Sequence, residues 1–283
     1  MKHLIVTADD FGLAREVNEA VELAHTRGVL TAASLMVGAP ACADAVERAR
    51  RLPGLRVGLH LTLLEAPPVL SRAQIPDLVG PDGLFRTDMA RAGADMFFRK
   101  NVQAQLAAEI EAQFSVFAAT GLALDHVNAH KHFHLHPTVA TLLMRIGPRY
   151  GMRSVRVPDE PHVMIRAIDP KAPRLTPLIT QPWTQLLKRR LRWAGFRVPD
   201  HVFGLAWSGG MTEQRLAALL VHPPQGVTEI YTHPAMSGGY LGAAPGYRYS
   251  EELAGLMSDS VRVAALACGA TWGGYGDVAG KAA

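Results

Sequence analysis

Short apolar runs alternate along the chain with longer segments whose apolar residues recur at helical spacing. The apolar runs predict buried strands at 4–8, 32–37, 56–64, 122–128, 154–157 and 227–232. The longer segments predict helices at 15–26, 43–51, 102–117, 137–146 and from an N-cap at Ser250 to 269. Strands separated by helices of this length indicate βαβ units and a mainly parallel sheet.

The βαβ units are numerous enough to close a barrel, so the expected fold class is α/β with a (β/α) barrel-like, TIM-barrel-related architecture. We expect a single domain over residues 1–283. Two segments, at about 65–100 and 158–210, break the alternation and are rich in Pro, Gly and Asp. We interpret them as long insertions over one face, because long loops in compact domains usually cover or bind ligands.

Composition narrows the class of protein. The 283 residues are 48% hydrophobic and 19% charged with a formal net charge of +4, which excludes a disordered chain and does not favour nucleic acid as a partner. No run approaches the roughly 20 apolar residues of a membrane span. Cys42 and Cys268 are too few for a disulfide framework or a thiolate metal site. The first residues lack a signal-peptide pattern, so we expect a cytoplasmic protein.

Candidate metal ligands end or occupy predicted strands, and the chemistry of barrels sits at strand ends. Asp9 and Asp10 follow the first strand, His60 lies in the third, and His130 follows the strand at 122–128. One Asp and two His supply three ligands and leave coordination positions for water and substrate, as in catalytic metal sites. Consecutive side chains near a strand end point in different directions. One acid can therefore bind the metal while the other takes a proton from water.

Histidine is concentrated in the segment after the strand at 122–128. Five of the twelve histidines fall within 126–136, and His130, His132, His134 and His136 alternate along the chain. In an extended segment these four side chains share one side. They cannot all bind one ion, so some are partners of the ligands, substrate contacts or residues without a role. A hydrated His-rich loop is the alternative.

His233 follows the predicted strand at 227–232 and is a candidate general acid opposite a carboxylate base. A histidine packed in a turn is the alternative for this residue. Taken alone, Asp9 and Asp10 also fit a turn or helix cap, and His60 fits a buried core histidine. Their joint occurrence at strand ends is what favours metal chemistry.

Five motifs resemble those of the YdjC-like carbohydrate deacetylases, the family of the chitooligosaccharide deacetylase. In family order they are L-I-V-T-A-D-D-F-G-L at 4–13, S-L-M-V at 34–37, V-G-L-H-L-T-L at 57–63, D-H-V-N-A-H-K-H-F-H at 125–134 and T-H-P at 232–234. The resemblance implies a barrel-like deacetylase fold, a divalent metal ion, and hydrolysis of an N-acetyl group from an amino sugar.

Carried over by position, the resemblance implies that Asp9 is the catalytic base and that Asp10, His60 and His130 are metal ligands. It also implies that His233 is the general acid. The ion stays open between Mg²⁺ and Zn²⁺, because histidine suits zinc, aspartate suits magnesium, and the family is commonly treated as magnesium-dependent. The oligomeric state also stays open, with a homodimer as one alternative.

One motif departs from the family pattern. The family often reads D-S-H-H-H-V-H, whereas this chain has Asn128, Ala129 and Lys131 in place of the first acid, the serine and the middle histidine. The ligand His130 is retained. We therefore expect differences in the groups around the metal ligands and in the substrate contacts.

The stretch 1–69, with L-T-A-A-S-L-M-V and L-L-E-A-P-P-V-L, most resembles the hopanoid-biosynthesis-associated branch of the family, HpnK. This resemblance implies an N-acetylglucosaminyl hopanoid lipid as the substrate. Deacetylation of soluble chitooligosaccharides and metal-dependent saccharide binding without turnover are the alternatives. A metal-dependent phosphodiesterase is disfavoured, because such sites often use a second ion and more carboxylates.

A basic segment at 182–198 is compatible with a lipid-linked substrate, since it has five basic side chains and no acid. On a helical wheel the apolar side comprises Trp183, Leu186, Leu187, Leu191 and Ala194, joined by Arg190, and the opposite side comprises Lys188, Arg189 and Arg192. Basic amphipathic helices with Trp can lie on anionic membranes, so we expect peripheral contact with the inner membrane. A helix packed on the barrel with a solvated basic face is the alternative.

Overall fold

Parallel β-strands form the centre of the fold in a computed structural model that describes residues 1–172 and 176–278, with 176–180 described as backbone only. The strands are β1 (Lys2–Phe11), β2 (Ala32–Leu35), β3 (Arg56–Leu61), β4 (Val127–Ala129), β5 (His201–Phe203), β6 (Gly226–Thr232) and β7 (Thr271–Trp272). They lie in the order β4-β3-β2-β1-β6-β5, and every pairing is parallel. β7 pairs with the first residues of β1, beside the part that β2 does not reach. The expected α/β class is confirmed.

An irregular segment at 154–159 joins the two edge strands. Val127 of β4 makes two backbone hydrogen bonds of 3.0 Å with this segment, and Val202 of β5 donates a third, of 3.1 Å, to it. The sheet is therefore curled into a ring, which confirms the expected barrel-like architecture. The regular strand predicted at 154–157 is wrong, because this segment forms only single bridges before Pro158, which has no N–H to donate.

Helices cover the outside of the curled sheet. They are α1 (Arg15–Arg27), α2 (Cys42–Arg51), α3 (Met89–Phe98), α4 (Lys100–Ala119), α5 (Pro137–Ile146), α6 (His162–Ile168), α7 (Thr176–Trp193), α8 (Glu213–Val221), α9 (Tyr249–Met257) and α10 (Asp259–Ala267). Leu4, Val6 and Ala8 of β1 lie in the main apolar core together with Val17 and Val21 of α1. Alternate residues of β1 therefore face the helices, and the others face the interior of the ring. In the parts of the chain described above, no helix is long and apolar enough to cross a membrane.

The interior of the ring becomes polar toward the carboxyl ends of the strands. At the amino end, Ile5, Ala32 and Tyr275 form a small apolar cluster. Further along β1 the inward residues are Thr7 and Asp9, both buried. This interior differs from the layers of branched apolar residues that fill many barrels. It places buried polar groups where the strands end.

Two local predictions need correction. The helix predicted at 250–269 is two helices, α9 and α10, and Ser250 lies inside α9 rather than capping it. The division falls at Ser258, whose hydroxyl accepts the backbone N–H of Val261 at 3.2 Å and so caps α10. The strand predicted at 122–128 is also shorter, because only its last residues pair with β3.

Buried carboxylates order the two long segments at 65–100 and 158–210, which were expected to be insertions. Glu109 of α4 accepts the backbone N–H groups of Val69 and Leu70, each at 2.9 Å. In the second insertion Glu160 accepts the N–H groups of 204–206 at 2.9 to 3.0 Å. Burial raises the pKa of both carboxyl groups, although these hydrogen bonds act in the opposite direction. The insertions also contain regular structure, namely α3 in the first and α6, α7 and β5 in the second.

The faces of α7 differ from the helical-wheel prediction. Lys188, which was expected on the solvated side, is buried, and its ammonium group donates to the Asp159 carboxylate at 2.7 Å. Leu186, which was expected on the apolar side, is 56% exposed, and Trp193 is 92% exposed. The prediction is wrong for Lys188 and Leu186 because Asp159, at the start of the same segment, supplies a carboxylate on the side of the helix that holds Lys188.

We predict that Gly58→Ala destabilises the protein by about 1–3 kcal/mol, the usual cost of overpacking. Gly58 of β3 lies against the His126 ring, and a Cβ at this position would be 2.5 Å from the nearest ring atom. Gly93→Ala in α3 is the control, because its Cβ would make an ordinary contact of 3.7 Å. Replacing glycine with alanine inside a helix usually stabilises a protein by about 0.5–1 kcal/mol. Urea unfolding measures both variants, and a Gly58→Ala protein as stable as the parent would contradict the prediction.

Candidate metal centre

The end of β1 directs two adjacent carboxylates toward different partners. The pairing of β1 with β2 shifts its register between Ala8 and Phe11, and Asp10 has a left-handed φ of 61°. A bulge of this kind redirects side chains at a strand end. Asp9 points into the interior of the ring, where it pairs with Arg156, whereas Asp10 faces two histidines. The two acids therefore have separate surroundings.

Asp10, His60 and His130 come together at the carboxyl ends of β1, β3 and β4. Asp10 Oδ1 lies 3.2 Å from His60 Nε2 and 3.1 Å from His130 Nδ1. The three candidate ligand atoms all lie within 4.8 Å of one another. Asp10 and His60 are buried and His130 is partly buried. The three residues that the sequence singles out as metal ligands thus form one cluster.

The chemistry of this cluster fits a divalent cation. His60 Nδ1 lies 2.7 Å from Asn128 Oδ1, which leaves its Nε2 facing Asp10. His130 turns Nδ1 toward Asp10, and its Nε2 lies 3.9 Å from the Glu65 carboxylate. Histidines that bind metals commonly give their second N–H to such an oxygen. One carboxylate and two imidazoles suit Zn²⁺ and also Mg²⁺ with water.

The carboxylates at the cluster are ionised. Burial acts to raise the pKa of Asp10, but His130 and His60 hold it well below the ordinary value. Contacts with His130 and Lys131 lower the pKa of Glu65 to about 2, against the effect of burial. Burial acts to lower the pKa of His130, whereas Asp10 and Glu65 raise it to about 9. The two carboxylates therefore stabilise a positive charge at His130.

A buried arginine lies between two carboxylates in the interior of the ring. Arg156 donates to both oxygens of Asp9, at 2.5 and 2.9 Å, and to both oxygens of Glu229, at 2.9 and 2.7 Å. Glu229 also accepts hydrogen bonds from the hydroxyls of Thr7 and Tyr275. Burial would raise the pKa of Asp9, but the guanidinium holds it well below the ordinary value. Asp9 is therefore a permanent carboxylate.

The histidine-rich segment is not extended. His130–Leu135 forms a 3₁₀ turn in which Lys131 and His132 both have a left-handed φ of 54°. The expectation that four alternating histidines share one side is therefore wrong. Two consecutive left-handed residues turn the backbone, so His134 and His136 lie outside the pocket that His130 and His132 line.

The other histidines of this segment consequently have separate partners. His132 Nε2 lies 3.0 Å from the Tyr231 hydroxyl. His134 Nε2 donates to the backbone carbonyl of Arg156 at 2.9 Å, and His136 stacks on a phenylalanine ring at 5.7 Å. Burial, followed by the nearby Arg156 charge, lowers the pKa of His134 to about 3. These residues brace the segment that presents His130.

His233 lies across from the cluster at the end of β6. Its ring makes edge contacts with Tyr231 at 5.7 Å and Tyr247 at 5.0 Å. Its backbone N–H donates to the buried carboxylate of Glu252. Within the described residues, its Nδ1 has no hydrogen-bond partner. It is therefore a buried nitrogen with an unused hydrogen-bonding position.

One pocket of about 700 Å³ contains all the residues that the sequence singles out for chemistry. They are Asp9, Asp10, His60, His130 and His233. Tyr231, Tyr247 and Tyr249 form an aromatic wall. The first insertion contributes Glu65, Ala66, Thr87 and Met89, and the second contributes Leu205 and Ser208. The size and the mixed lining are typical of a small-molecule site.

Arg156 and Glu229 are two charged residues of the interior that the motifs do not include. A signal for both exists in the sequence, because each is a single charged residue inside an apolar run, at 154–157 and 227–232. A buried charge needs a partner of opposite sign. The motifs mark Asn128 only as a departure from the family pattern, although its amide contacts both Asp9 and His60.

Known proteins resemble this chain along nearly its whole length. A family model described as YdjC-like protein matches residues 3–266. The carbohydrate deacetylase of Vibrio vulnificus strain YJ016 is 32% identical over 264 residues, covering 92% of this chain and 90% of that protein. The carbohydrate deacetylase of Geobacillus stearothermophilus is 30% identical over 270 residues, covering 94% of this chain and 93% of that protein.

A crystal structure shares the fold from end to end. It is that of a protein from Enterococcus faecalis V583, provisionally described as a cellobiose-phosphate cleavage protein. Its TM-score to this chain is 0.76 at 27% identity, and the superposition covers 99% of both chains. The shared fold therefore includes both long insertions.

We predict that Arg156→Met lowers the free energy of unfolding by about 3–5 kcal/mol, because it leaves the buried carboxylates of Asp9 and Glu229 without a counter-charge. Arg149→Met is the control. Arg149 pairs with Glu111 at the surface, where an ion pair contributes only about 0–1 kcal/mol. Guanidinium unfolding compares the two variants. Equal losses in the free energy of unfolding would show that the buried ion pairs contribute no more to stability than the surface pair.

Proposed function

Because the chain belongs to the YdjC-like protein family, we propose that it is a metal-dependent hydrolase that removes the acetyl group from an N-acetylated amino sugar. The observation that carries this proposal is the approach of Asp10, His60 and His130 to within 4.8 Å, beside the separate carboxylate of Asp9 in one pocket. The two similar proteins from Vibrio and Geobacillus are carbohydrate deacetylases, which supports this reaction class.

In the proposed mechanism, Asp10, His60 and His130 hold a divalent cation, which when bound lowers the pKa of water and polarises the acetyl carbonyl. Asp9 accepts a proton from the water that attacks the carbonyl carbon. Its ion pair with Arg156 keeps the carboxylate ready at physiological pH. The same ion pair makes Asp9 a weak base. Asp9 is therefore suited to accept a proton from a water molecule whose pKa has been lowered, rather than from ordinary water.

His233 is the proposed general acid. The amine needs a proton as the C–N bond breaks, and acetate is then released. Support for this role comes from the position of His233 in the same pocket as Asp9 and from the free Nδ1 of its ring. Its contacts with Tyr231 and Tyr247 hold the ring in place.

For the substrate we propose an N-acetylglucosaminyl group linked to a hopanoid lipid, with soluble chitooligosaccharides as the second candidate. Similarity of residues 1–69 to the HpnK branch supports the lipid-linked substrate. The outward face of α7 adds support, because Trp193 and Leu186 are exposed beside the exposed Arg189 and Arg190. A basic surface with an exposed Trp is suited to an anionic membrane.

We predict that Asp9→Asn lowers acetate release from N-acetylglucosaminyl substrates by about 10²–10⁴-fold, the usual contribution of a proton-transfer group. Metal binding should persist in this variant, because Asp9 is not one of the three ligands. Asp10→Asn and His60→Ala should instead lower metal occupancy, measured by elemental analysis. A chelator should stop acetate release by the parent protein. Activity that survives complete metal removal would reject the proposed mechanism.

We predict that Arg189→Glu with Arg190→Glu weakens binding to liposomes containing phosphatidylglycerol by at least about tenfold, since each basic residue near such a surface contributes about 1 kcal/mol. Acetate release from a soluble chitooligosaccharide should not change. The control replaces Arg27 and Arg50, which are exposed on α1 and α2, with Glu. It changes the net charge by the same amount. If the two pairs of substitutions reduce liposome binding to the same extent, α7 is not a docking site.

A further inference from the structure

A chain of buried side chains begins at the amino ends of the strands, on the side of the ring away from the pocket. Asp125, just before β4, lies 2.9 Å from His126 Nδ1. His126 Nε2 lies 3.0 Å from the Ser34 hydroxyl of β2. The Ser34 oxygen accepts a hydrogen bond from the Asn128 amide nitrogen at 2.8 Å. His126, Ser34 and Asn128 are completely buried, and the Asp125 side chain is 5% exposed.

This chain continues into the candidate metal centre. The Asn128 amide nitrogen donates to Asp9 Oδ1 at 3.0 Å as well as to Ser34. The Asn128 amide oxygen lies 2.7 Å from His60 Nδ1. Asn128 thus contacts both the proposed base and one proposed metal ligand.

The hydrogen bonds of the first three residues have a single self-consistent direction. Asp125 also accepts the backbone N–H groups of Tyr275 and Gly276, so it is an ionised acceptor. His126 must therefore donate from Nδ1 and accept at Nε2. Ser34 then donates its proton to His126 and keeps its lone pairs for the Asn128 amide nitrogen. The opposite His126 tautomer would leave the buried Ser34 proton without an acceptor among these partners.

The same reasoning determines the proton on His60. Ser34 and Asp9 both require the amide nitrogen of Asn128 on their side, so the amide oxygen faces His60. An oxygen can only accept, and His60 therefore donates from Nδ1. Its Nε2 is then the ring nitrogen left to serve as a metal ligand, and this atom is the one that lies 3.2 Å from Asp10.

We propose that Asp125, His126, Ser34 and Asn128 form a positioning relay that holds a proton on His60 Nδ1 and so directs Nε2 to the metal site as the ligand atom. The inference about the tautomer stands on the hydrogen bonds alone. Its consequence for metal affinity rests on the proposed function.

The Asp-His-Ser sequence of contacts is not a hydrolytic triad. Ser34 is fully buried, and its oxygen already accepts the Asn128 amide. A nucleophilic serine needs contact with substrate and a nearby oxyanion site. Ser34 therefore acts through Asn128 as a positioning residue.

The first test measures the tautomer directly. In metal-free protein labelled with ¹⁵N-histidine, two-bond ¹H–¹⁵N correlation spectra identify which ring nitrogen of His60 has the proton. We expect a proton on Nδ1. An unprotonated Nδ1 on His60 overturns the relay, whatever the protein catalyses.

The second test is a double-mutant cycle on Zn²⁺ affinity, measured by calorimetry. Partners of metal ligands typically contribute 10–100-fold, so Asn128→Ala should weaken Zn²⁺ binding by about that factor and Ser34→Ala by about tenfold. If Ser34 acts through Asn128, Ser34→Ala should have no further effect in the Asn128→Ala background. Equal effects in both backgrounds, or a Ser34→Ala affinity equal to that of the parent, would overturn the relay.

Asp277→Asn is the matched control. Asp277 lies at the same end of the ring and pairs with Arg56 at the surface, outside the relay. Its Zn²⁺ affinity should equal that of the parent. A protein that has the expected tautomer and Zn²⁺ affinities but releases no acetate would reject the deacetylase proposal and leave the relay standing.

Discussion

A buried ion triplet is the constraint on which the interior of this protein depends. Arg156 is completely buried, and its guanidinium donates four hydrogen bonds to Asp9 and Glu229. Moving such groups out of water costs several kcal/mol per ion, roughly, so each charge is tolerable only while its partners stay in place. β1, β6 and the segment at 154–159 must therefore keep their positions relative to one another. The ring is held in one shape at the end where the chemistry is proposed.

The candidate metal centre depends on the same interior. Asp9 links the ion triplet to Asn128, and Asn128 links it to His60. Both ends of the Asn128 amide are committed to these partners, so the network admits few other arrangements. The bulge at the end of β1 turns Asp10 away from Asp9 and toward the pocket, where it contacts His60. The fold thus combines a rigid polar interior with one carboxylate turned outward between two histidines.

The pocket above this centre is built from a different kind of structure. The insertions that line it are held by the buried carboxylates of Glu109 and Glu160, which bind backbone N–H groups. These anchors position the loops without involving the residues of the metal centre. Loops can therefore differ in their lining residues while the centre stays the same.

Local patterns in the sequence determined the α/β class, most of the helices, and the three residues Asp10, His60 and His130 that meet at the strand ends. These features follow from periodic burial and from the meeting of strand ends in a parallel sheet. The partner of Arg156 could not be read in this way, because it depends on which strands become neighbours. The turn at His130–Leu135 could not be read either, since two left-handed residues other than glycine have no clear local signature. Likewise, the side of α7 that is buried depends on where Asp159 lies relative to the helix. This is why the helical wheel predicted a solvated position for Lys188, which is buried. Contacts between residues far apart in the chain decide such features, and only the tertiary structure contains them.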